Sequence, residues 1–240
     1  QQFIIFIRTH YIFHLMTTIH ARIIDQNNVT VAFIRQHDFS SAVKSSTSAL
    51  RLHQQLGETT SSSAGNSSTT SALDCLDQCM LLSEVDANID DTASGSAAFV
   101  YEHGILLPPT AVDYTMMSAI VIFNSALAHQ LYAQQQQQQR QYDKGTSQYH
   151  LLKSKKLYEL AYVAHSEARH NVLFQFVVIN NMAVADLQSG DEEVSTRYFE
   201  HLMTVLMLMV DQGCTSRLRH VCGFLRNLPS PVATAAAAAA

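Results

Sequence analysis

The residues in this chain best suited to metal chemistry are its twelve histidines and four cysteines. Two ligands share a helix face when they are four residues apart, as in HExxH metal sites. His10 and His14 have this spacing, but no HExxH pattern occurs and they lie close to the first residue of the chain. His165 and His170 are five residues apart, so we expect no metal site on either pair.

The cysteines give a similarly weak metal signal. Cys75 and Cys79 could chelate an ion across one helical turn, but they lack a second pair nearby. Cys214, His220 and Cys222 are close in sequence, yet three ligands on one short helix converge poorly. Four cysteines also do not make a disulfide framework in a chain of this length. We therefore predict free thiols, a reducing compartment and no metal or other cofactor.

Patterns of nucleotide binding and nucleophilic catalysis are also missing from the sequence. No GxSxG, Walker or GxGxxG pattern occurs, and eight glycines leave little material for a phosphate-binding loop. Asp191 and its two acidic neighbours follow Gly190, where a helix is predicted to begin. Acids at that position interact favourably with the helix dipole. We predict this structural role for them, no catalytic residue, and hence a chain that is not an enzyme; an autonomous enzyme is the weaker hypothesis.

The charge distribution limits the possible partners. The formal net charge is −5 and the isoelectric point is near 6.2. Affinity for nucleic acid through phosphate neutralisation is therefore not expected. No lysine or arginine occurs between Arg51 and Arg140, while that interval holds nine acids. An acidic, serine-rich middle between nearly balanced ends is typical of a solvated insert.

The hydrophobic periodicity indicates an all-α chain. Glycine and proline are sparse, at 8 and 4 residues, which favours helix over sheet. Apolar residues at helical spacing predict helices over residues 24–36, 39–56, 114–133, 149–169, 170–188, 192–210 and 214–228. Short turns between consecutive helices make antiparallel hairpins. A C-cap is expected at Gly57, after the second helix.

These elements divide the chain into five parts. Residues 1–22 are an N-terminal extension, and residues 23–57 form a first helical hairpin. Residues 58–112 form an acidic, serine-rich insert of low complexity that we expect to be disordered. Residues 113–228 contain the remaining hairpins and a capping helix, and residues 229–240 are a disordered tail.

Two stretches outside the predicted hairpins have distinct patterns. The apolar run at residues 3–7 is too short for a membrane span or a signal sequence. Met16 is a plausible start, which would make residues 1–15 non-native; the alternative is that they tether the protein to a membrane. Residues 97–109, AAFVYEHGILLPP, alternate in hydrophobicity and end at two prolines. We expect this piece to lie extended against the helices.

An internal repeat connects the hairpins. Asn28, Asn124 and Asn181 each lie in a first helix and are followed two residues later by a small residue. The second helices follow a partly kept rhythm of small, large and small residues: Ala42/Ser46/Ala49, Ser154/Tyr158/Ala161 and Ser195/Phe199/Leu202. Small residues let the two helices of a hairpin approach closely, and an aromatic residue fills the gap to the next hairpin.

At these positions the chain resembles the tetratricopeptide-repeat (TPR) family, most clearly over residues 171–210, then over 115–168 and 24–56. It is also similar to the uncharacterised TPR-like proteins predicted from unicellular algae, which share homopolymer runs such as the polyglutamine at residues 134–139 and long inserts. The resemblance implies a right-handed solenoid of stacked hairpins whose concave face binds peptides or other helices. It implies no catalytic activity.

The candidate groove of this solenoid is neutral. Its candidate residues are Asn28, Val31, Asn124, Leu127, Asn181 and Val184. Family members that clamp acidic peptide termini use lysine and arginine on first helices, which residues 115–133 and 171–189 do not contain. A carboxylate clamp is therefore not expected. A simpler interpretation, which the sequence favours, is that the asparagines bond backbone or neighbouring turns, because a buried amide needs hydrogen-bond partners.

The sequence thus predicts a protein–protein interaction scaffold, intracellular and cytoplasmic, with a protein or peptide partner and no nucleic-acid or membrane partner. The alternative is a helical regulatory subunit buried against a larger enzyme or complex. Residues 205–210, VLMLMV, motivate that alternative because they are apolar on every side and need a covering element.

Overall fold

The computed structural model describes residues 2–60, 98–109, 114–138, 144–167, 172–211 and 221–228. Within these ranges the chain forms seven helices and no strand. They are α1 (Gln2–Arg35), α2 (Phe39–Thr60), α3 (Tyr114–Gln138), α4 (Lys144–Glu167), α5 (Val172–Ser189), α6 (Glu192–Asp211) and α7 (Val221–Asn227). The predicted all-α class is confirmed.

The helices pack in chain order. The closest pairings are α1 with α2, α3 with α4 and α5 with α6, and successive pairs meet where α2 contacts α3 and α4 contacts α5. The first helices of the pairs also contact one another, α1 with α3 and α3 with α5. Consequently α1, α3 and α5 lie side by side, with α2, α4 and α6 behind them.

Two tight turns reverse the chain within the pairs. Between α1 and α2, His37 has a φ of 57°, and the Asp38 carboxylate accepts a hydrogen bond from the Ser41 amide at 3.1 Å. Between α5 and α6, Gly190 has a φ of 84°, which glycine adopts without the steric cost that other residues meet. The Asp191 carboxylate then accepts from the Val194 amide at 3.4 Å.

Small polar residues join the helices closely. The Ser195 hydroxyl on α6 donates to the Ala183 carbonyl on α5 at 2.8 Å. Tyr158 on α4 is fully buried, and its hydroxyl donates to the Gln130 side chain on α3 at 2.8 Å. It also accepts from Asn181 on α5 at 3.2 Å, so this one aromatic side chain connects three helices.

Helix α5 is the most apolar of the described helices. Residues 172–189 are long and apolar enough to cross a membrane, but 72% of this stretch is buried inside the fold. The central part of α5, from Phe176 to Ala185, is buried at every position. Helix α5 therefore provides core surface for its neighbours in this structure.

Several predicted boundaries are wrong. Helix α3 ends at Gln138 and α4 begins at Lys144, whereas the sequence predicts an end at residue 133 and a start at residue 149. Helix α1 begins at Gln2, not near residue 23, and α2 passes through Gly57 and ends at Thr60. A glycine in a helix interior costs only about 1 kcal/mol, which packing can offset. Residues 98–109 do not belong to a solvated insert, because five of them are buried in the fold. The rest of the predicted insert at 61–97 and the tail at 229–240 lie outside the described residues.

Candidate functional site

Residues 98–109, hereafter the extended segment, form neither helix nor strand. The segment crosses the faces of the first helices and α7, running from α7 at Phe99 to α1 at Leu107. The expected extended conformation against the helices is confirmed for these residues. The side chains of Tyr101, Ile105 and Leu107 are at most 1% exposed.

Asparagine side chains hold the second half of this segment by its backbone. The Asn28 amide donates to the Leu107 carbonyl, and its oxygen accepts from the Leu107 N–H, both at 2.8 Å. Asn124 makes the same pair of bonds with Ile105, at 2.7 Å to the carbonyl and 2.8 Å from the N–H. Each asparagine therefore satisfies both backbone groups of one residue.

The first half of the segment is held in the same way. Asn181 donates to the Tyr101 carbonyl at 3.0 Å and accepts from its N–H at 2.9 Å. Asn227 on α7 donates to the Phe99 carbonyl at 2.7 Å and accepts from its N–H at 2.8 Å. We call the four side chains together the asparagine ladder: Asn28, Asn124, Asn181 and Asn227.

The chemistry of a side-chain amide explains why asparagine occupies these positions. Its oxygen accepts and its NH₂ group donates twice, so one amide can pair with an N–H and a C=O as a neighbouring strand would. The remaining donor hydrogen braces the ladder: Asn124 also donates to Asn27 at 2.9 Å, and Asn227 to Asn180 at 2.7 Å. Asn27 and Asn180 in turn donate to the carbonyls of the extended segment at 3.1 Å.

The spacing of the ladder follows from two lengths that do not match. Packed helices are about 8–10 Å apart, whereas two residues of extended chain span about 6.6 Å. Backbone groups on one edge of an extended chain recur every second residue, so each rung must be an even number of residues from the last. Rungs at residues 99, 101, 105 and 107 cover eight residues, about 26 Å, which matches three helix spacings. The step of four residues across His103 takes up the mismatch.

The extended segment packs closely against the helices at Gly104 and at Phe99. Gly104 lies so close to α1 that a Cβ atom there would be 2.9 Å from Val31 Cγ2. At the other end, the Phe99 ring contacts the Phe224 ring edge-on with centroids 5.0 Å apart, and Phe224 contacts Phe176 at 4.8 Å. Apolar contacts thus accompany the backbone hydrogen bonds along the whole segment.

The structure brings together four of the six predicted groove residues. Asn28, Asn124 and Asn181 form three of the four rungs, and Val31 contacts Gly104. The other two, Leu127 and Val184, are fully buried in the main hydrophobic core. The simpler interpretation of the asparagines also applies, since they do bond backbone, but the backbone belongs to the extended segment and not to neighbouring turns.

Sequence reasoning missed Asn27, Asn180 and Asn227. The first two had a usable signal, because an Asn-Asn pair occurs at the same place in α1 and α5. Asn227 had none, because α7 was predicted only as a capping helix. The other omission was the partner of the asparagines, because nothing in the sequence pairs residues 99–107 with helices up to 128 positions away.

The buried titratable groups of the described fold include a histidine pair and the Tyr158 hydroxyl, which accepts a hydrogen bond from the ladder residue Asn181. His129 on α3 and His150 on α4 approach with their Nδ1 atoms 2.6 Å apart. Burial, together with Lys153 and His150, lowers the pKa of His129 to about 3. Burial also raises the pKa of the Tyr158 hydroxyl, which keeps that group protonated as a hydrogen-bond donor.

The hydrogen-bonding side chains of the asparagine ladder are neutral amides. They provide binding groups for an extended backbone rather than a nucleophile or a proton donor. Among the residues that the structure describes, no three histidine, cysteine or acidic side chains cluster as a metal site would require. Comparisons of the chain with protein-family models, curated proteins and solved structures found no match.

Proposed function

We propose that this chain is a non-enzymatic interaction module of the TPR-like type whose groove binds an extended polypeptide segment by its backbone. The observation that carries the proposal is the asparagine ladder, in which four residues of an extended segment have both backbone groups bonded by one asparagine each. Such a site recognises main chain, which every peptide has, and uses apolar contacts to select among sequences.

The position of the asparagines supports the repeat architecture that we propose. They lie on α1, α3, α5 and α7, that is, on the first helix of each pair and on the helix after the last pair. A right-handed solenoid of hairpins puts its first helices on the concave face, where one extended chain can contact all of them. The free thiols expected from the four cysteines support an intracellular, cytoplasmic location for this module.

A binding experiment tests the proposal directly. In the full chain, residues 98–109 are replaced by a glycine-serine sequence of equal length, and a fluorescent peptide with the sequence AFVYEHGILLPP is titrated. We expect saturable binding by fluorescence anisotropy, and loss of binding when Asn181→Leu is added. Absence of binding to a replaced chain that retains its helical circular dichroism would refute the proposed function.

N-methylated peptides provide a matched control for backbone recognition. A methyl group on the nitrogen of the residue equivalent to Ile105 removes an N–H that bonds Asn124. A methyl group on the nitrogen equivalent to Glu102, an exposed residue between the rungs, leaves all four rungs intact. We expect the first peptide to bind at least about fivefold more weakly than the second, since a lost buried hydrogen bond costs about 1–3 kcal/mol.

The exposed side of α6 favours a second candidate, a regulatory subunit that packs on a larger complex. Val205 and Met209 are buried, but Met207, Leu208 and Val210 are 64%, 45% and 58% exposed. Exposed apolar side chains grouped on one helix are typical of an interaction surface. A chain that is monomeric and monodisperse in analytical ultracentrifugation, and unchanged by Met207→Glu, would count against this candidate.

A further inference from the structure

The occupant of the asparagine ladder is part of the same chain, and this has a consequence for the partner. Resting on the proposed function, we propose that the ladder accepts a partner segment that is extended, apolar at the buried positions and glycine at the position that faces Val31. The chain's own residues 98–109 occupy the ladder in competition with that partner.

The requirement for glycine follows from the wall formed by α1. A Cβ added to Gly104 would be 2.9 Å and 3.3 Å from the two methyl groups of Val31, and 3.4 Å from Ile34 Cδ1. Both residues are at most 3% exposed, so they have little room to move. Since the rungs at Ile105 and Tyr101 hold the backbone on either side, the segment cannot shift away to admit a larger residue. Val31 therefore acts as a specificity-determining residue.

The requirement for apolar residues follows from burial without a matching charge. The buried side chains of the extended segment are Val100, Tyr101, Ile105 and Leu107. The side chains that bond its backbone are amides, so a charged group at those four positions would be desolvated without a counter-charge. Glu102, in contrast, is exposed, although partial burial of its carboxyl raises the pKa of that group. A partner is thus less restricted at the position of Glu102 than at the four buried ones.

Competition follows from the covalent connection. A segment on the same chain has an effective concentration that is set by the chain connecting it to the site, so it opposes a free peptide of equal intrinsic affinity. Weakening only the internal segment should then strengthen binding of the free peptide. Because the ladder bonds are to backbone groups, the free peptide can form the same bonds once the internal segment leaves.

The experiment uses the full chain and the fluorescent peptide AFVYEHGILLPP. Gly104→Val loosens the internal segment by overpacking against Val31. We expect this variant to bind the free peptide at least about fivefold more tightly than the unaltered chain, since overpacking costs about 1–3 kcal/mol. A peptide with valine at the glycine position should bind weakly to the Gly104→Val chain. The same valine peptide should bind weakly to the chain whose residues 98–109 are replaced by glycine-serine, and it should regain affinity when Val31→Ala removes the two methyl groups from that chain.

Hydrogen exchange on the unaltered chain provides a test that does not depend on whether the variants fold. In the unaltered chain, the backbone amides of Tyr101 and Ile105 should exchange faster than those of the core of α5, because the segment leaves the ladder without unfolding the helices. Equal exchange rates would overturn the proposal, as would a folded Gly104→Val chain that binds the free peptide no better than the unaltered chain. If either overturning result is obtained but the glycine-serine chain binds the peptide, the competition is refuted and the proposed function stands. If the glycine-serine chain does not bind either, the proposed function itself fails.

Discussion

Asn124 is the residue at which the ladder can be tested most sharply. Its side chain is 1% exposed and makes three hydrogen bonds, to the N–H and the carbonyl of Ile105 and to Asn27. Replacement by leucine removes all three at similar volume. The Ile105 carbonyl keeps its bond from Asn27 at 3.1 Å, but the Ile105 N–H and the Asn27 oxygen lose the partners that Asn124 provides.

The cost of Asn124→Leu can be worked from those two groups. A buried polar group without a partner costs about 1–3 kcal/mol, so two of them destabilise the fold by about 2–6 kcal/mol. The free energy of unfolding of a globular domain is about 5–15 kcal/mol, so the variant should still fold. Its unfolding midpoint should lie at a clearly lower urea concentration. Hydrogen exchange should accelerate most at residues 101–107, where the rung is lost.

A control on the same helix separates the ladder from general destabilisation. Gln130 is also fully buried, and it accepts from the Tyr158 hydroxyl at 2.8 Å without contacting the extended segment through any of its hydrogen bonds. Gln130→Leu should destabilise the fold but leave the exchange of residues 105–107, which Asn124 and Asn28 hold, in step with the helices. If both variants accelerate those amides equally, or if Asn124→Leu costs less than about 0.5 kcal/mol, the energetic role we give the ladder is incorrect.

Further predictions concern buried groups outside the ladder. The pKa of His129 is lowered to about 3 in the folded chain, so the unfolded chain binds a proton there at higher pH than the folded chain does. The free energy of unfolding should therefore be highest above about pH 6.5 and fall by roughly 1.4 kcal/mol per pH unit below it. Urea titrations between pH 7 and pH 4.5 should show this slope, and His129→Gln should flatten it. Lys155 pairs with the buried Asp186 between α4 and α5, so Lys155→Met should cost about 3 kcal/mol in urea unfolding, and Lys155→Met/Asp186→Leu should recover most of that loss. Gly190 has a φ of 84° and open space around it, so Gly190→Ala should lower the free energy of unfolding by about 1 kcal/mol through backbone strain alone.

Much of the fold is predictable because helices depend on local spacing. The predicted starts of α2, α3 and α6 agree with the structure, and Gly190 lies in the turn directly before α6. Side chains three and four residues apart share a helix face whatever the rest of the chain does. Boundaries failed where local signals were weak: Gly57 ends no helix, because a glycine also fits inside one when packing compensates.

The sequence by itself determined the helices, their pairing through short turns, and the recurrence of asparagine on first helices. It also determined that residues 97–109 alternate in hydrophobicity and end at two prolines. Only the tertiary structure decided that these two features belong together, because hydrogen bonds between residues about 80 positions apart leave no periodic trace in the chain. The same reason hides the role of Gly104, whose missing side chain has meaning only beside Val31. A buried amide requires a hydrogen-bond partner, but only the folded chain shows which backbone groups provide it.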